Sequence, residues 1–294
     1  MVISMRDSYC IAIVSVLFNC EKHLPLFFKS MGQQSDKNYI LILIDNASKD
    51  SSLKAARVLA ESNGVPCEFI VNAANLGIAV GNNQGIERAR DLGLKHVVLM
   101  NNDVGFEFDM ISKIRKRAIE KGHKAWTCLA YYGDSKERWY GGGFLSYWLA
   151  RGIHYTQAKS ERIKEPMPVT YAPTCLMYLH MSVIDAVGMM DDQYFVYYDD
   201  TDFCRRLLDA GIELLYDPGV CYRHYVGGSS GGDLSPFFLR ISTRNKFIYI
   251  RKHYRWPMRW IVLYIALFSK LTQLLNAQRR GPTWRGLMDA LGGQ

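Results

Sequence analysis

The segment that decides the fold is YILILIDNAS, residues 39–48. Its six consecutive apolar residues predict a strand buried on both faces, as in a parallel sheet. The polar residues that follow predict a turn at the carboxyl end of this strand. Ligands of open α/β sheets bind beyond such ends, so Asp45 is a candidate site residue that can accept hydrogen bonds from a base or a ribose. The alternative is that Asp45 only ends the strand and caps the next helix.

The same pattern continues on either side of this segment. Three other segments predict strands: CIAIVSVLF (10–18), CEFIVN (67–72) and HVVLMNND (96–103). Three segments have helical spacing: Leu24–Met31, Ser51–Ser62 and a stretch around Ile86–Leu92. Strands that alternate with helices in this order predict an α/β fold with a doubly wound, mostly parallel sheet flanked by helices.

The middle of the chain is less regular. Residues 141–152, GGGFLSYWLARG, predict a hairpin or bulged strands, and residues 156–168 predict a loop. Three more predictions follow along the chain: a strand and a short helix at 174–188, a helix at Thr201–Ala210 ended by Gly211, and a strand, a turn and a second strand at 213–224. The Gly/Ser-rich segment 227–236 predicts a flexible loop.

Composition limits the class of protein. A chain of 294 residues that is 49% hydrophobic can bury a large core. Its seven cysteines are scattered and include no CxxC pair, which indicates reduced thiols in a cytosolic setting rather than disulfides or a zinc site. No cleavage pattern follows the apolar run near the N-terminus, so we do not expect a signal peptide.

Positive charge is concentrated near the C-terminus. The net charge is +8, and 11 of the 36 Lys and Arg residues lie between Leu234 and Met288, a segment without any acid. The other 25 are outnumbered by 28 acidic residues. The segment predicts an anionic partner: a membrane surface, a nucleic acid or an acidic substrate. Nucleic acid is disfavoured because no base-reading motif accompanies the charge.

An apolar run lies within this basic segment. Its nine residues, WIVLYIALF (260–268), are far fewer than the roughly 20 that span a bilayer. Flanking tryptophans and arginines predict a helix that lies in the membrane interface. The alternative is a helix packed on the core with a solvated basic face.

Three acids follow a run of large apolar residues in FVYYDDTD, residues 195–202. Asp199 or Asp200 can cap the predicted helix, and Asp202 is a favourable charge in its first turn. Capping does not explain the aromatic residues that precede the acids. A carboxylate beside apolar rings and a second acid has a raised pKa, which suits a general base toward a hydroxyl group.

Three other motifs hold candidate residues. NAANLGIAVGNNQG (72–85) can let backbone amides approach a phosphate or a sugar, although it lacks GxGxxG spacing. Asp103 suits a Mg²⁺ or Mn²⁺ that holds a diphosphate, since such a cation needs only one or two protein carboxylates. His224 precedes the Gly/Ser-rich segment, as a metal ligand beneath a lid would. The alternatives are that residues 72–85 only form a turn, that Asp103 caps the turn after its strand, and that His224 is a structural histidine.

The order of these motifs resembles the family 2 inverting glycosyltransferases of GT-A fold, and most closely their bacterial rhamnosyl- and galactofuranosyltransferase branch. The resemblance covers roughly residues 10–232, and glycines at 141–143 and 188 agree with it. It implies a Rossmann-like GT-A domain at residues 1–236 and a helical, basic, membrane-associating extension at 237–294.

The resemblance also implies roles for particular residues. Asp200 is the expected catalytic base, and Asp199 contacts the acceptor or positions the base. Asp103 and His224 are expected metal ligands, with Asn101 where the family's DxD element has its first acid. That departure removes one charge and leaves strict metal dependence open. Seven residues are expected to bind the donor nucleotide: Phe18, Asn19, Asp45, Asn75, Gly77, Asn83 and Asn102.

The implied activity is transfer of a sugar, rhamnose foremost, from dTDP-rhamnose or a UDP-sugar to a hydroxyl of a lipid-linked glycan in bacterial cell-surface polysaccharide synthesis (O-antigen, capsule or cell wall). The implied cofactor is Mg²⁺ or Mn²⁺, and the implied location is peripheral, on the cytoplasmic face of the inner membrane. Alternatives are galactofuranosyl or other hexosyl transfer from a UDP-sugar, and a non-catalytic sugar-nucleotide-binding scaffold. A nucleotidyltransferase is disfavoured because no Gly-rich, basic phosphate loop follows the first strand. A homo-oligomer is compatible with the sequence.

Overall fold

The computed structural model of the chain describes residues 11–225 and 235–292. The strands are β1 Ile11–Leu17, β2 Tyr39–Asp45, β3 Cys67–Val71, β4 His96–Met100, β5 Val104–Gly105, β6 Ala125–Tyr132, β7 Arg138–Tyr140, β8 Gly143–Ser146, β9 Arg151–His154, β10 Met167–Val169, β11 Leu176–His180 and β12 Leu214–His224. The helices are α1 Leu24–Gly32, α2 Ser52–Ser62, α3 Ile78–Asp91, α4 Met110–Arg115, α5 Gln157–Arg162, α6 Met181–Val187, α7 Asp199–Asp209, α8 Pro236–His253, α9 Met258–Leu275 and α10 Arg280–Gly292.

Parallel strands form one half of the main sheet, in the order β3–β2–β1–β4. All of β2 is buried, as its unbroken apolar run predicts. Leu17 lies opposite Asp45, so the carboxyl ends of β1 and β2 meet at one edge. The predicted α/β fold class is confirmed, and Asp45 stands at the edge where ligands of such sheets bind.

The other half of the sheet is mixed. β11 runs antiparallel to both β4 and β6, while β12 runs parallel to β6. The turn predicted within 213–224 is instead a register shift between Asp217 and Cys221 inside the single strand β12. The end of β12 pairs with β5, and this pairing sets His224 opposite Val104. Asp103 directly precedes β5, so the chain brings it beside His224.

The helix predicted around Ile86–Leu92 begins much earlier, at Ile78. Glycines inside α3 explain both the error and the packing. A Cβ at Gly81 would lie 2.8 Å from Val16 Cγ2, and one at Gly85 would lie 2.2 Å from Val14 Cγ1. Glycine lowers helix propensity, which hides the start of α3 in the sequence, but here it lets the helix lie directly on β1.

The region between β6 and β11 contains one confirmed prediction and one that is wrong. The hairpin predicted at 141–152 is present as the antiparallel pair β8–β9. Residues 156–168 are not simply a loop, because they contain α5 and the start of β10. Polar composition concealed α5, whose first turn is capped by Thr156 through a hydrogen bond from Lys159 N.

Three helices complete the described chain and confirm the predicted helical extension. They bury a second apolar core, separate from the core beneath the sheet, that includes Phe247, Val262 and Leu287. α9 is 18 residues long, twice the predicted apolar run, and by length and composition alone it is sufficient to cross a membrane. The expectations for residues 1–10 and for most of the segment 227–236 lie outside the described residues.

Candidate active site

Asp199 and Asp200 lie in the first turn of α7, which begins earlier than predicted. The preceding Tyr197 and Tyr198 have φ angles of 65° and 68°, in the left-handed region that is unfavourable for residues with a Cβ. Asn245 of α8 holds this bend by donating 2.9 Å hydrogen bonds to the carbonyl groups of residues 196 and 197. Tyr198 is the N-cap residue and no side chain caps α7, so the capping interpretation of the two acids is wrong.

The carboxylate of Asp200 is oriented by hydrogen bonds to both of its oxygens. Tyr171 Oη donates to Oδ2 at 2.8 Å, and Thr201 N donates to Oδ1 at 2.6 Å. Burial raises the pKa of Asp200, while these two donors oppose the rise by stabilising the charged form. Asp200 is therefore a fixed, partly dehydrated carboxylate, which is the environment that a general base requires.

Asp199 differs from its neighbour in the surroundings of its carboxyl group. Burial and, after it, the negative charge of Asp200 raise the pKa of Asp199 to about 8. The pKa of Asp200 is raised by burial as well, but side-chain hydrogen bonds from Tyr171 and Thr201 favour the charged form of Asp200. Acids whose pKa values are pushed apart in this way take different roles, and the charged member is the one that can accept a proton.

Replacing Asp199 with Asn changes how stability depends on pH. In the wild type the folded protein keeps a proton at Asp199 that the unfolded chain loses above about pH 4. The free energy of unfolding should therefore fall by up to about 1.4 kcal/mol per pH unit as pH rises toward 8, and Asp199→Asn removes this loss. In urea unfolding, the free energy of unfolding of the variant relative to that of the wild type should be higher at pH 8 than at pH 5.

The matched control for this experiment is Asp209→Asn, which removes an exposed carboxylate at the other end of α7. Its stability relative to the wild type should change little between the two pH values. An Asp199→Asn difference that is equally flat would show that Asp199 titrates alike in the folded and unfolded chains.

Asp103 and His224 form a second pair, near the carboxyl end of β4. Asp103 Oδ1 and His224 Nε2 lie 3.1 Å apart. Both Asp103 Oδ1 and His224 Nδ1 are buried. The contact between Asp103 Oδ1 and His224 Nε2 does not have hydrogen-bond geometry, and His224 Nδ1 has no hydrogen-bond partner within the part of the chain that the structure describes. Buried polar atoms without partners are unfavourable, so this pair fits a ligand that the chain does not supply.

The donor set suits a divalent cation bound together with a diphosphate. A carboxylate oxygen and an imidazole nitrogen are both metal ligands. Residues 11–225 and 235–292 contain no group of three or more His, Cys, Asp or Glu that could hold a metal. A cation bound here would need its remaining ligands from phosphate oxygens and water, as Mg²⁺ commonly does.

Asn101 stands next to this pair, and its amide is engaged elsewhere. Asn101 Nδ2 donates to Cys175 Sγ at 3.3 Å, and its backbone N–H donates to the Cys175 carbonyl at 3.0 Å. These contacts join the end of β4 to the start of β11. The amide oxygen is the atom that a metal would use, so the role of Asn101 as a ligand stays a prediction.

A wall of aromatic side chains connects the two pairs. The Trp139 ring lies edge-on to His224 with centroids 4.2 Å apart, and it contacts His154 at 5.2 Å. His154 in turn lies 5.8 Å from Tyr171, whose hydroxyl holds Asp200. The sequence interpretation missed Trp139, His154 and Tyr171. The one signal in the sequence is a glycine of the hairpin. A Cβ at Gly152 would lie 2.3 Å from the Tyr171 ring, so only a residue without a side chain fits at this position.

Residues predicted to bind the donor nucleotide occupy the carboxyl edge of β1 and β2. Asp45 is almost fully buried, and its Oδ2 accepts a hydrogen bond from Ser48 N at 3.3 Å while Oδ1 has no partner among the described residues. Asn19 accepts a bond from the loop after β2, and Asn102 donates one to the end of β1. Phe18 is half-buried beside them. Their contact with a nucleotide stays a prediction.

The other predicted donor residues fasten one segment of the chain to another. Asn75 Oδ1 accepts a hydrogen bond from Gly77 N, and a Cβ at Gly77 would lie 2.4 Å from the Phe195 carbonyl oxygen. Asn83 bonds the backbone of Met190 through both amide atoms. These contacts hold the Asn/Gly segment against the chain that leads into α7. A role in nucleotide binding for Asn75, Gly77 and Asn83 stays a prediction as well.

Solved structures define the class to which this fold belongs. The mannosyltransferase PcManGT of Pyrobaculum calidifontis, in complex with GDP-Man and Mn²⁺, superposes with a TM-score of 0.63 at 13% identity, over 97% of this chain and 87% of that chain. GalNAc-T7 with UDP, GalNAc and Mn²⁺ gives 0.62 at 15% identity, over 82% of this chain and 48% of that chain. The chain has the GT-A fold.

Sequence comparison then defines the family. The family model described as glycosyl transferase family 2 matches residues 12–185, which is more than half of the chain. The chain therefore belongs to glycosyltransferase family 2, and the resemblance drawn from the motifs is confirmed.

Two curated relatives are rhamnosyltransferases by name. The dTDP-rhamnosyl transferase RfbF of Shigella flexneri is 26% identical over 60% of this chain and 63% of its own length. The N-acetylglucosaminyl-diphospho-decaprenol L-rhamnosyltransferase of Mycobacterium tuberculosis is 26% identical over 91% of this chain and 95% of its own length. The chain thus spans less than two thirds of the first relative and nearly all of the second.

Proposed function

We propose that the protein transfers a sugar, rhamnose foremost, from a nucleoside-diphosphate donor to a hydroxyl of a lipid-linked glycan in cell-surface polysaccharide synthesis, with inversion at the anomeric carbon. The observation that carries the proposal is the aromatic wall that joins the Asp103–His224 pair to Asp200. This wall is a continuous series of contacts, with the candidate diphosphate-binding residues at one end and the candidate proton acceptor at the other. The two rhamnosyltransferase relatives support the choice of sugar.

The proposed reaction is a single displacement. Asp200 accepts the proton of the acceptor hydroxyl while the oxygen of that hydroxyl attacks the anomeric carbon. As the new C–O bond forms, the bond between this carbon and the diphosphate breaks, and the nucleoside diphosphate departs with the bonding electrons. The hydrogen bond from Tyr171 keeps the Asp200 carboxylate aimed at the acceptor. Asp199 contacts the acceptor or positions the base.

Asp103 and His224 would hold a Mg²⁺ or Mn²⁺, with Asn101 as the third candidate ligand. A divalent cation bound there supplies positive charge against the departing diphosphate. The unpartnered atoms of the pair support this role, as do the fold neighbours crystallised with Mn²⁺. This ligand set contains one carboxylate rather than two, so it carries less negative charge. We expect the diphosphate of the donor to supply further negative charge and so to strengthen cation binding.

Asp103→Asn tests the cation site directly. The substitution removes the only carboxylate of the proposed ligand set, so Mn²⁺ affinity measured by titration calorimetry in the presence of UDP or dTDP should fall by about 10- to 100-fold. Asp134→Asn, which removes a surface carboxylate bonded to Tyr225 nearby, is the control and should leave Mn²⁺ binding unchanged. Equal Mn²⁺ affinity in the two variants would remove Asp103 from the site.

We place the acceptor at a membrane surface through α9. Residues Val262 and Ala266 on one side of this helix are buried in the second core. The other side exposes a stripe of large apolar residues: Trp260, Ile261, Tyr264, Leu267, Phe268, Leu271 and Leu275. A helix that packs on protein along one face and exposes apolar residues along the other suits the interface of a bilayer better than its centre. Nearby arginines suit anionic headgroups.

A panel of sugar nucleotides tests the proposed function. Purified protein is incubated with dTDP-rhamnose, UDP-galactofuranose and other UDP-hexoses, with and without Mn²⁺, and donor hydrolysis and melting temperature are measured. A true donor at 100 times its Kd should add about 2.7 kcal/mol to stability. Turnover of a UDP-sugar alone would move the assignment to another hexosyltransferase. Donor binding without turnover, even with lipid-linked acceptor, would instead support a non-catalytic scaffold.

A further inference from the structure

Three positively charged residues lie next to members of the second core. Arg151 opens β9 directly after Ala150, Lys246 lies on α8 directly before Phe247, and Lys270 lies on α9, one turn beyond Ala266. Ala150, Phe247 and Ala266 are all buried members of that core. Three separate elements therefore place a cationic residue beside the same core, and each of the two lysines is within electrostatic range of Arg151.

These three cations lack the acidic partners that other basic residues in the region have. Lys252 pairs with Asp191 and Asp202, and Arg240 pairs with Asp289. In the described part of the chain, none of the three cations forms an ion pair with an acid. Lys270 is only 8% exposed, and its Nζ donates one hydrogen bond, to Gln273 Oε1 at 3.2 Å.

Electrostatics indicates that the three groups act on one another. Burial, then Lys270 and Arg151, lower the pKa of Lys246 to about 8. Burial and then Arg151 lower the pKa of Lys270 to about 8 as well. Like charges that are gathered in a partly dehydrated place destabilise the protein on their own. An anion with more than one charge would reverse that effect.

The position of the cluster relates it to the site already described. Tyr198 Oη donates to the Ala150 carbonyl at 3.1 Å, so the start of β9 lies against the residue that precedes Asp199. The Tyr198 hydroxyl is also within electrostatic range of both Arg151 and Asp200. The cluster thus has one member, Arg151, beside the residue that precedes the carboxylate pair, and another, Lys270, on α9, the helix that carries the exposed apolar stripe.

We propose that Arg151, Lys246 and Lys270 form a binding site for the diphosphate of a lipid diphosphate, with its apolar chain lying along the exposed stripe of α9. This inference rests on the proposed function and extends it, because the lipid diphosphate is the anchor of the acceptor glycan. The donor diphosphate has its own place at Asp103 and His224. A phosphate group at the cation cluster neutralises the unpaired charges and sets the first sugars of the acceptor toward Asp200.

The test uses farnesyl diphosphate, a soluble molecule that joins an apolar chain to a diphosphate. Calorimetry should show it binding to the wild type about 10- to 100-fold more tightly than to Lys246→Gln/Lys270→Gln. Arg280→Gln/Arg285→Gln removes the same charge from exposed positions on α10 and should bind like the wild type. Lys246→Arg/Lys270→Arg, which keeps the charge, should retain most of the affinity and shows that loss in the Gln variant is not a failure to fold.

Further arms exclude other sources of the anion. Phosphatidylglycerol vesicles should bind the Gln variant and its α10 control alike, and UDP or dTDP with Mn²⁺ should bind the Gln variant like the wild type. The proposal is overturned if the Gln variant binds farnesyl diphosphate as tightly as the wild type does, or if the wild type does not bind it. It is also overturned if the Gln variant loses vesicle or nucleotide binding to the same extent as it loses farnesyl diphosphate binding.

The outcomes also separate this inference from the proposed function. Loss of farnesyl diphosphate binding in the Gln variant, with no sugar transfer from any donor, would leave the phosphate site standing and refute the transferase. Transfer to a lipid-linked acceptor, with undiminished farnesyl diphosphate binding in the Gln variant, would support the transferase and refute the phosphate site.

Discussion

Replacing Asp200 with Asn should lower the rate of sugar transfer by about 10²- to 10⁴-fold, the usual contribution of a positioned general base. The amide cannot accept the acceptor's proton, yet its shape is nearly that of the carboxylate and can still accept the hydrogen bond from Tyr171. We therefore expect donor affinity and melting temperature to stay close to the wild type. Single-turnover rates with a saturating donor measure the chemical step without interference from binding.

Two further variants make this result specific. Tyr171→Phe keeps the base but removes the hydrogen bond that orients it, so its rate should fall by less than that of Asp200→Asn. Asp209→Asn changes an exposed carboxylate on the same helix and should have no effect on rate. If Asp200→Asn turned over like Asp209→Asn, Asp200 would not be the base, and Asp199 would be the next residue to test.

The sequence predicted the parts of the fold that depend on local pattern. β1, β2 and β4 consist almost entirely of apolar residues, and a segment of this kind has few alternatives to a buried strand. The acids at their ends were identified because a turn must follow such a strand. α3 was placed too late because Gly81 and Gly85 read locally as turn residues, while their real effect, close contact with β1, depends on the partner strand.

Contacts between distant segments of the chain could not be predicted in this way. His224 meets Asp103 because β12 pairs with β5, and Tyr171 meets Asp200 across a separation of 29 residues. Neither residue carries a local signal of its partner. The resemblance supplied Asp103, His224 and Asp200 through the order of motifs, but it offered nothing for Trp139 or His154, which the family motifs do not include.

The sequence predicts that Asp202 is a favourable charge near the N-terminus of α7, and the structure adds a larger role. Its side chain is fully buried and contacts Arg206 Nε at 2.8 Å, His253 Nε2 at 2.7 Å and Lys252 Nζ at 2.7 Å. Burial alone would raise the pKa of Asp202, but hydrogen bonds from His253 and Lys252 and the charge of Arg206 lower it to about 2. This one carboxylate therefore ties the first turn of α7 to the end of α8.

Asp202→Ala should lower the free energy of unfolding at pH 7 by about 3–5 kcal/mol, because it removes a fully buried carboxylate and leaves Arg206 Nε and His253 Nε2 without the oxygens that they contact. A folded-state pKa below the unfolded value means that the wild-type carboxylate contributes its stability above about pH 4 and loses it as pH falls toward 2. The difference between variant and wild type in urea unfolding should therefore shrink across that range.

The control for Asp202 is Asp289→Ala. This substitution breaks an ion pair between Asp289 and Arg240 that joins α10 to α8 at the surface. Exposed pairs contribute about 0–1 kcal/mol, so this variant should lose far less stability. Equal losses in the two variants would mean that the buried carboxylate has no special part in holding α8 to α7. A large loss for Asp202 alone would show that the helix carrying Asn245, which braces the bend before Asp199 and Asp200, is held in place by the third acid of the same motif.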